Sequence, residues 1–210
     1  MLKHMRKTTT DAGKSVDHGY SLVEILVVMF TIITLAAIAI PNLMTVVGNL
    51  KTRGDARDLN GEIVLAKMRA ASDFARARVY ADLSTNAFRI ETCPYTPSGP
   101  CTWTPDQSGT QSLSNGVSFG YGSLTIPPLN TQAALGQAPG CLDNSGSAIA
   151  NTACIIFNSR GIPITSGAVP TPNDALYVTN GKSITGVTVS VTGLTKIWRS
   201  DVSTANWTQY

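Results

Sequence analysis

Between Tyr20 and Ile40 the sequence carries a single charge, Glu24, in an otherwise apolar run. At about 1.5 Å per helical residue the run is roughly 31 Å long, one hydrocarbon thickness. It therefore reads as a transmembrane helix. Thr31 and Thr34 are compatible with a span, because their hydroxyls can return to the helix backbone. A carboxylate at a helix centre costs roughly 2.5–3.5 kcal/mol on insertion scales, and less near the interface, so Glu24 needs a partner. Pro41 follows at once, and proline removes a backbone donor and bends or locally melts a helix.

The segment before this run holds Lys3, Arg6, Lys7 and Lys14 against Asp11 and Asp17, a basic balance that favours the cytoplasmic side. A secretory signal places a small-residue cleavage site after its apolar region. Here Gly19 stands before it, and Ala36-Ala37-Ile38-Ala39 is the competing site. The junction Gly19-Tyr20-Ser21-Leu22-Val23-Glu24, running straight into the apolar stretch, closely resembles the class III signal of type IV pilins and type II secretion pseudopilins.

That resemblance implies cleavage after Gly19 by a prepilin peptidase and methylation of the new amine of Tyr20. Glu24 is then the fifth residue of the processed chain, and Pro41 falls where the family commonly carries proline. The resemblance further implies a single-pass inner-membrane precursor with a periplasmic head. Its partners would be other pilins or pseudopilins and an inner-membrane assembly platform, and it would be built into a pilus or pseudopilus. Glu24 would pair with the Tyr20 amine of a neighbouring subunit and set axial register, a role open to buried polar groups. The competing readings are a plain signal anchor and a Glu24 wetted at the interface. Met1 and Met5 both stand open as the start.

The chain divides into a leader (1–19), a transmembrane and assembly helix (20–41), a helix extension (42–78) and a β-rich head (79–210). In the extension Ile63, Val64, Met68, Ala71, Phe74 and Ala75 recur near helical spacing, with basic residues on the other faces. Gly48, Gly54 and Gly61 weaken it at roughly 1 kcal/mol each, which predicts flexibility between Pro41 and Gly61. Strands are expected at Val79–Leu83 and Ala87–Thr92 around a Ser84-Thr85-Asn86 turn, near Val117–Tyr121 and Leu124–Ile126, and over Cys154–Asn158. Ala175–Thr179, Val187–Val191 and Leu194–Arg199 complete the set. Residues 93–153 read as a loop-rich insertion with turns at Ser98-Gly99, Asn115-Gly116 and Asn144-Ser145-Gly146. The fold class is α+β, a long N-terminal helix packed on antiparallel sheet. Ile155-Ile156-Phe157-Asn158-Ser159-Arg160-Gly161, followed by Val187–Val191 and Gly193, resembles the GspH/FimT-type minor pilins.

Cys93, Cys101, Cys141 and Cys154 all lie beyond the span, and an even count in an oxidising compartment points to disulfides. Three connectivities are open, of which Cys93–Cys101 and Cys141–Cys154 close the shortest loops. A four-thiolate zinc site is the alternative, although neither spacing is a C-x-x-C knuckle. Both histidines, His4 and His18, lie in the leader, so the processed chain would lack Ser-His-Asp and Cys-His nucleophile systems. The carboxylates are scattered and no phosphate-binding loop occurs, so neither an enzyme nor a cofactor is expected.

Some FimT-type proteins bind DNA for uptake through a basic Gly-Arg-x-Arg motif. This chain has Gly193-Leu194-Thr195-Lys196 instead, with Leu194 in place of the first Arg. The alternative function is accordingly a DNA-binding minor pilin, with Lys182, Lys196, Trp198 and Arg199, assisted by Trp207 and Tyr210, as the nucleic-acid patch. Against it, strand alternation divides Lys196 and Trp198 from Arg199. From residue 79 on, Arg89, Arg160, Lys182, Lys196 and Arg199 face a slightly larger set of carboxylates.

Overall fold

A computed structural model describes residues 19–94, 101–171 and 173–210. Most of the expected leader, with His4 and His18, and the Ser98-Gly99 turn lie outside the described residues. The chain forms two units, one ending at Asn42 and one running Leu43–Tyr210. One helix, α1, spans Leu22–Ser72 and contributes to both.

In the second unit α1 buries Thr52, Asp55, Ala56, Leu59, Glu62, Ile63, Ala66 and Ala70, a stripe with the i, i+3, i+4 recurrence of one helix face. This face is offset from the one the sequence pattern indicated. Ile63 is shared, but Met68 and Phe74 are exposed. Small residues along the buried stripe bring the helix close to the sheets. The extension also ends earlier than 78. Asp73 donates its N–H to the Arg69 carbonyl, Phe74 takes a positive φ of 49°, and β1 begins at Arg76.

Two antiparallel five-stranded sheets follow. The first has the order β3-β2-β1-β5-β6, from Thr104–Ser112, Ala87–Cys93, Arg76–Asp82, Thr152–Phe157 and Pro163–Ile164. The second has the order β10-β9-β8-β7-β4, from Thr204–Gln209, Thr195–Asp201, Ser183–Val189, Asp174–Thr179 and Ser118–Phe119. The inner faces share one core with the helix. Val79, Ile90, Ile155 and Phe157 come from the first sheet and Leu176, Val178, Val187 and Val189 from the second. The observed architecture is α+β.

The β1–β2 hairpin turns where expected. Asn86 has a φ of 54°, and the Asp82 carboxylate accepts hydrogen bonds from the Ser84 hydroxyl (2.6 Å) and from the Ser84 and Thr85 N–H groups. Those bonds, the Ser84 hydroxyl first, hold the Asp82 pKa down at about 2. The insertion is more ordered than its composition implies. It contains β3, which pairs with β2 across a register shift, and no strand forms at Leu124–Ile126. β10 is a further strand that the sequence pattern did not indicate. Its alternation is polar, and only Ala205 and Trp207 turn inward onto a second cluster.

That second cluster lies on the outer face of the second sheet, where Leu124, Ala175, Tyr177 and Ile184 meet Trp207. Gly186 makes room for it, because a Cβ there would stand 2.3 Å from Cε1 of Tyr177. Gly193, in the β8–β9 turn at φ +75°, is equally constrained. A Cβ would stand 2.5 Å from the Gly161 carbonyl oxygen, while the Gly193 carbonyl accepts from Lys67 Nζ at 3.0 Å. The two loops that resemble the minor pilins thus converge on one lysine of α1.

Gly193→Ala combines a strained φ with a backbone clash and should lower stability by about 2–4 kcal/mol. Urea unfolding of the full chain in detergent, followed by tryptophan fluorescence, measures this. An unchanged midpoint would contradict the packing described.

Candidate functional site

Gly19 and Tyr20 precede the helix and are exposed. Ser21 stands just ahead of α1, and its carbonyl accepts from the N–H groups of Glu24 (3.0 Å) and Ile25 (3.2 Å). Glu24 falls in the first turn, where unpaired N–H groups and the helix dipole favour a negative charge. Its side chain is exposed.

From Leu22 to Asn42 no residue is buried. Leu22, Phe30, Leu35 and Ile38 each leave about two thirds or more of their surface uncovered. The helix is long and apolar enough to cross a membrane. Thr31 donates its hydroxyl to the Val28 carbonyl (2.8 Å) and Thr34 to the Thr31 carbonyl (2.9 Å), as a span requires. Pro41 lies inside α1 rather than at its end. It deprives the Ala37 carbonyl of its usual donor, and Asn42 Nδ2 donates to the adjacent Ile38 carbonyl at 3.3 Å.

Both short-loop disulfides, Cys93–Cys101 and Cys141–Cys154, are formed. All four thiols are thereby consumed, which removes the zinc alternative. The second bridge ties the 141–149 loop to β5 on the outer face of the first sheet, against Tyr80, Ile156 and Ile164.

Beside that bridge lies a charged cluster the sequence did not single out. Arg78 and Glu91 are direct cross-strand partners, both buried. Arg78 donates from Nε to Glu91 Oε2 at 2.7 Å and from Nη1 to the Leu142 carbonyl at 2.7 Å. Arg89 donates from Nε to Glu91 Oε1 at 2.8 Å. The Arg78 guanidinium lies 4.2 Å from the Trp103 ring centroid, and that of Arg89 lies 4.2 Å from the Tyr80 centroid. Burial lowers the Arg78 pKa, and the Glu91 charge opposes the shift. A carboxylate with two arginines stacked on aromatics clamps β1, β2 and the loop together. The i, i+2 spacing of Arg89 and Glu91 on one strand face was the available signal. Arg78 falls in the stretch whose pattern reads as helix, which hides its strand pairing with Glu91.

The residues of the expected nucleic-acid patch are dispersed. Lys196 and Trp198 share a face, with Nζ 5.8 Å from the ring centroid, but Trp198 is buried and its indole N–H donates to Thr188 Oγ1. Arg199 lies on the opposite face and donates to the Tyr210 hydroxyl at 3.4 Å. Lys182 sits in the β7–β8 turn and donates to Thr45 Oγ1 at 2.9 Å. Trp207 donates to the Ile126 carbonyl and packs on Tyr177.

Among solved structures the chain is similar to two of the minor pseudopilin EpsH from the type 2 secretion system of Vibrio cholerae. One aligns at 14% identity over 70% of this chain and 95% of that chain, with a TM-score of 0.43. The other aligns at 15% identity over 72% and 94%, with a TM-score of 0.42. No protein-family model and no curated protein sequence matches the chain. At this degree of likeness function has to be argued from the residues themselves.

Asp174, at the start of β7, is buried and accepts from the Thr171 hydroxyl at 3.1 Å. Burial raises its pKa to about 6, against the smaller opposing effect of that bond. A folded pKa above the unfolded value means that Asp174 favours folding most below about pH 4. That contribution is lost as pH rises toward about 6 and stays lost above it. Asp174→Asn keeps an acceptor for Thr171 without the charge. It should stabilise the chain by about 2 kcal/mol at pH 8 and flatten the pH 4–6 slope of stability. Urea midpoints at several pH values test this, and an unchanged slope would refute the assignment.

Proposed function

We propose that this chain is a minor pilin or pseudopilin, a structural subunit that enters a type IV pilus or type II secretion pseudopilus through its N-terminal helix. The observation that carries the reading is the placement of Glu24. It stands in the first turn of a helix whose next turns expose only apolar and small residues, just after the Gly19–Tyr20 junction. Water is a poor environment for such a surface. Hydrocarbon suits the apolar side chains, and a bundle of similar helices additionally offers the carboxylate a cation.

In this reading a prepilin peptidase cuts after Gly19 and the amine of Tyr20 is methylated. The helix is first held in the inner membrane, with the head in the periplasm. An assembly platform then passes it into the filament, where Glu24 meets the Tyr20 amine of a neighbour and fixes its axial position. The head presents outer sheet faces covered by the 120–137 and 141–149 loops, a construction suited to contacts along or at the end of a filament. The reading gives the chain an assembly role and no catalytic one.

Gly19→Val should abolish processing, so that the chain keeps its precursor mass. Glu24→Ala should be processed normally yet be absent from sheared filaments, with incorporation reduced by about tenfold or more if the lost pair is worth at least 1.4 kcal/mol. Mass spectrometry of the chain and immunoblots of the sheared fraction read both. Normal incorporation of Glu24→Ala would remove the register role, and cleavage at an unchanged site in Gly19→Val would remove the processing assignment. Crosslinked partners from the same cells assign the machine, a major pilin pointing to a pilus and other pseudopilins to secretion.

A further inference from the structure

Where α1 passes the second sheet it carries Arg53 and Arg57, one helical turn apart. Both line a small cleft of about 20 Å³ together with Thr185 of β8, Ile197 of β9 and Tyr210. Thr185 and Arg199 are direct cross-strand partners, so Arg199 stands on the same sheet face beside the cleft. Its Nη1 donates to the Tyr210 hydroxyl at 3.4 Å, and the Tyr210 ring centroid lies 5.3 Å from the Arg53 guanidinium. Helix and sheet thus gather three arginines from distant parts of the sequence.

No anion within the chain answers them. Arg53, Arg57 and Arg199 take part in no ion pair among the described residues. Of the acids close to them in sequence, Asp55 accepts from Ser114, while Asp58 and Asp201 are exposed. Two polar atoms at the cleft are also unmet. Nε of Arg53 and Oγ1 of Thr185 are shielded from solvent without a hydrogen-bond partner among the described residues, and Thr185 as a whole is 1% exposed. Hidden donors of this kind are uncommon in folded chains, and here they point to an acceptor supplied from outside.

Size, charge and lining together restrict that acceptor. A volume of about 20 Å³ admits one small group rather than a whole ligand. The unmet groups are cations and donors, and a planar carboxylate matches the guanidinium fork. Ile197 and the Tyr210 ring form an apolar wall, which suits the methylene stem of an acidic side chain. A nucleic-acid backbone fits less well. A phosphodiester is bulkier than the cleft, and the neighbouring indoles are not free for base stacking, since Trp198 is buried and Trp207 packs on Tyr177.

We infer that this cleft receives an acidic side chain of a neighbouring subunit, its carboxylate held by Arg53 and Arg57 and bordered by Arg199. The inference rests on the assembly role proposed above. It adds a charge-specific contact made by the head to the one made by the N-terminal helix.

The test uses the full chain in cells that assemble it. R57K keeps the charge and supplies an amine that carbodiimide couples to a carboxylate in direct contact. In sheared filaments the new amine should be joined to an aspartate or glutamate of another subunit, read as a crosslinked peptide by mass spectrometry. R53Q/R57Q should lower incorporation by about tenfold, as removal of one side of a desolvated charge pair does. K196Q should leave incorporation unchanged. Matched urea midpoints for wild type and the three variants exclude misfolding as the cause. Wild-type incorporation of R53Q/R57Q overturns this site while sparing the assembly role. So does an R57K amine coupled only in products of single-chain mass, or coupled to nothing. Equal loss in K196Q points to diffuse charge and also overturns it. DNA retention lost from R53Q/R57Q filaments, with incorporation unchanged, would make the cleft a phosphate site instead. A wild-type chain absent from filaments overturns both readings.

Discussion

The rest of the structure depends on how α1 is covered. From Thr52 to Ala70 it surrenders one face to a core shared by two sheets, and helix stability there comes from packing rather than from propensity. From Leu22 to Asn42 none of its residues is buried among the described residues. At about 25 cal/mol per Å² of apolar surface, a helix this exposed strongly favours transfer to hydrocarbon or to other helices. In the proposed assembly that cover is lipid or the helices of neighbouring subunits.

The head meets a different constraint. Two sheets that share a core with a helix have outer faces as well as inner ones, and in this chain both outer faces hold apolar or charged groups that need cover. On the first sheet the Arg78–Glu91–Arg89 cluster and the Cys141–Cys154 bridge secure the 141–149 loop. On the second, Gln137 exchanges hydrogen bonds with the Tyr177 backbone, its amide donating to the carbonyl and its oxygen accepting from the N–H, while Gln132 accepts from the Tyr177 hydroxyl. Side-chain amides here take the place of a neighbouring strand. The insertion is polar in composition because its work is to satisfy backbone and arginine groups on surfaces that also carry hydrophobic side chains.

These differences explain what was legible in the sequence. The N-terminal helix and its carboxylate were plain, because an uninterrupted apolar run has few foldable meanings. Strands with buried β-branched residues, such as Thr152–Phe157 and Asp174–Thr179, were found within a residue or two. β3 was not, since Thr104–Ser112 is almost wholly exposed and exists through pairing with β2. Nothing in Thr-Pro-Asp-Gln-Ser-Gly-Thr-Gln-Ser marks a strand by itself. The helix face was misplaced for a related reason. Met68 and Phe74 outweigh alanines in any hydrophobic pattern, yet Ala56, Ala66 and Ala70 are the residues that let the sheets approach. The disulfide pairs were among the three open connectivities, and only the fold chooses between them.

The glycines predict flexibility between Pro41 and Gly61, whereas α1 runs without a break through this region and buries Thr52, Asp55, Ala56 and Leu59. α1 is continuous through this region, although Gly54 and Gly61 have open space where a Cβ would be and so weaken the helix with no packing gain. Each lies beside residues that compensate, Asp55 and Ala56 for the first and Glu62 and Ile63 for the second, all buried in the head. Around Pro41 no such burial exists, a backbone bond is missing, and the next buried residue is Thr52. Local opening is therefore least costly close to Pro41, because from Thr45 to Lys51 the helix is tied to the head by Lys182, Asn180, Ser183 and the Asn115 carbonyl. Under the proposed function, opening there would leave both the Glu24 turn and the core of the head intact.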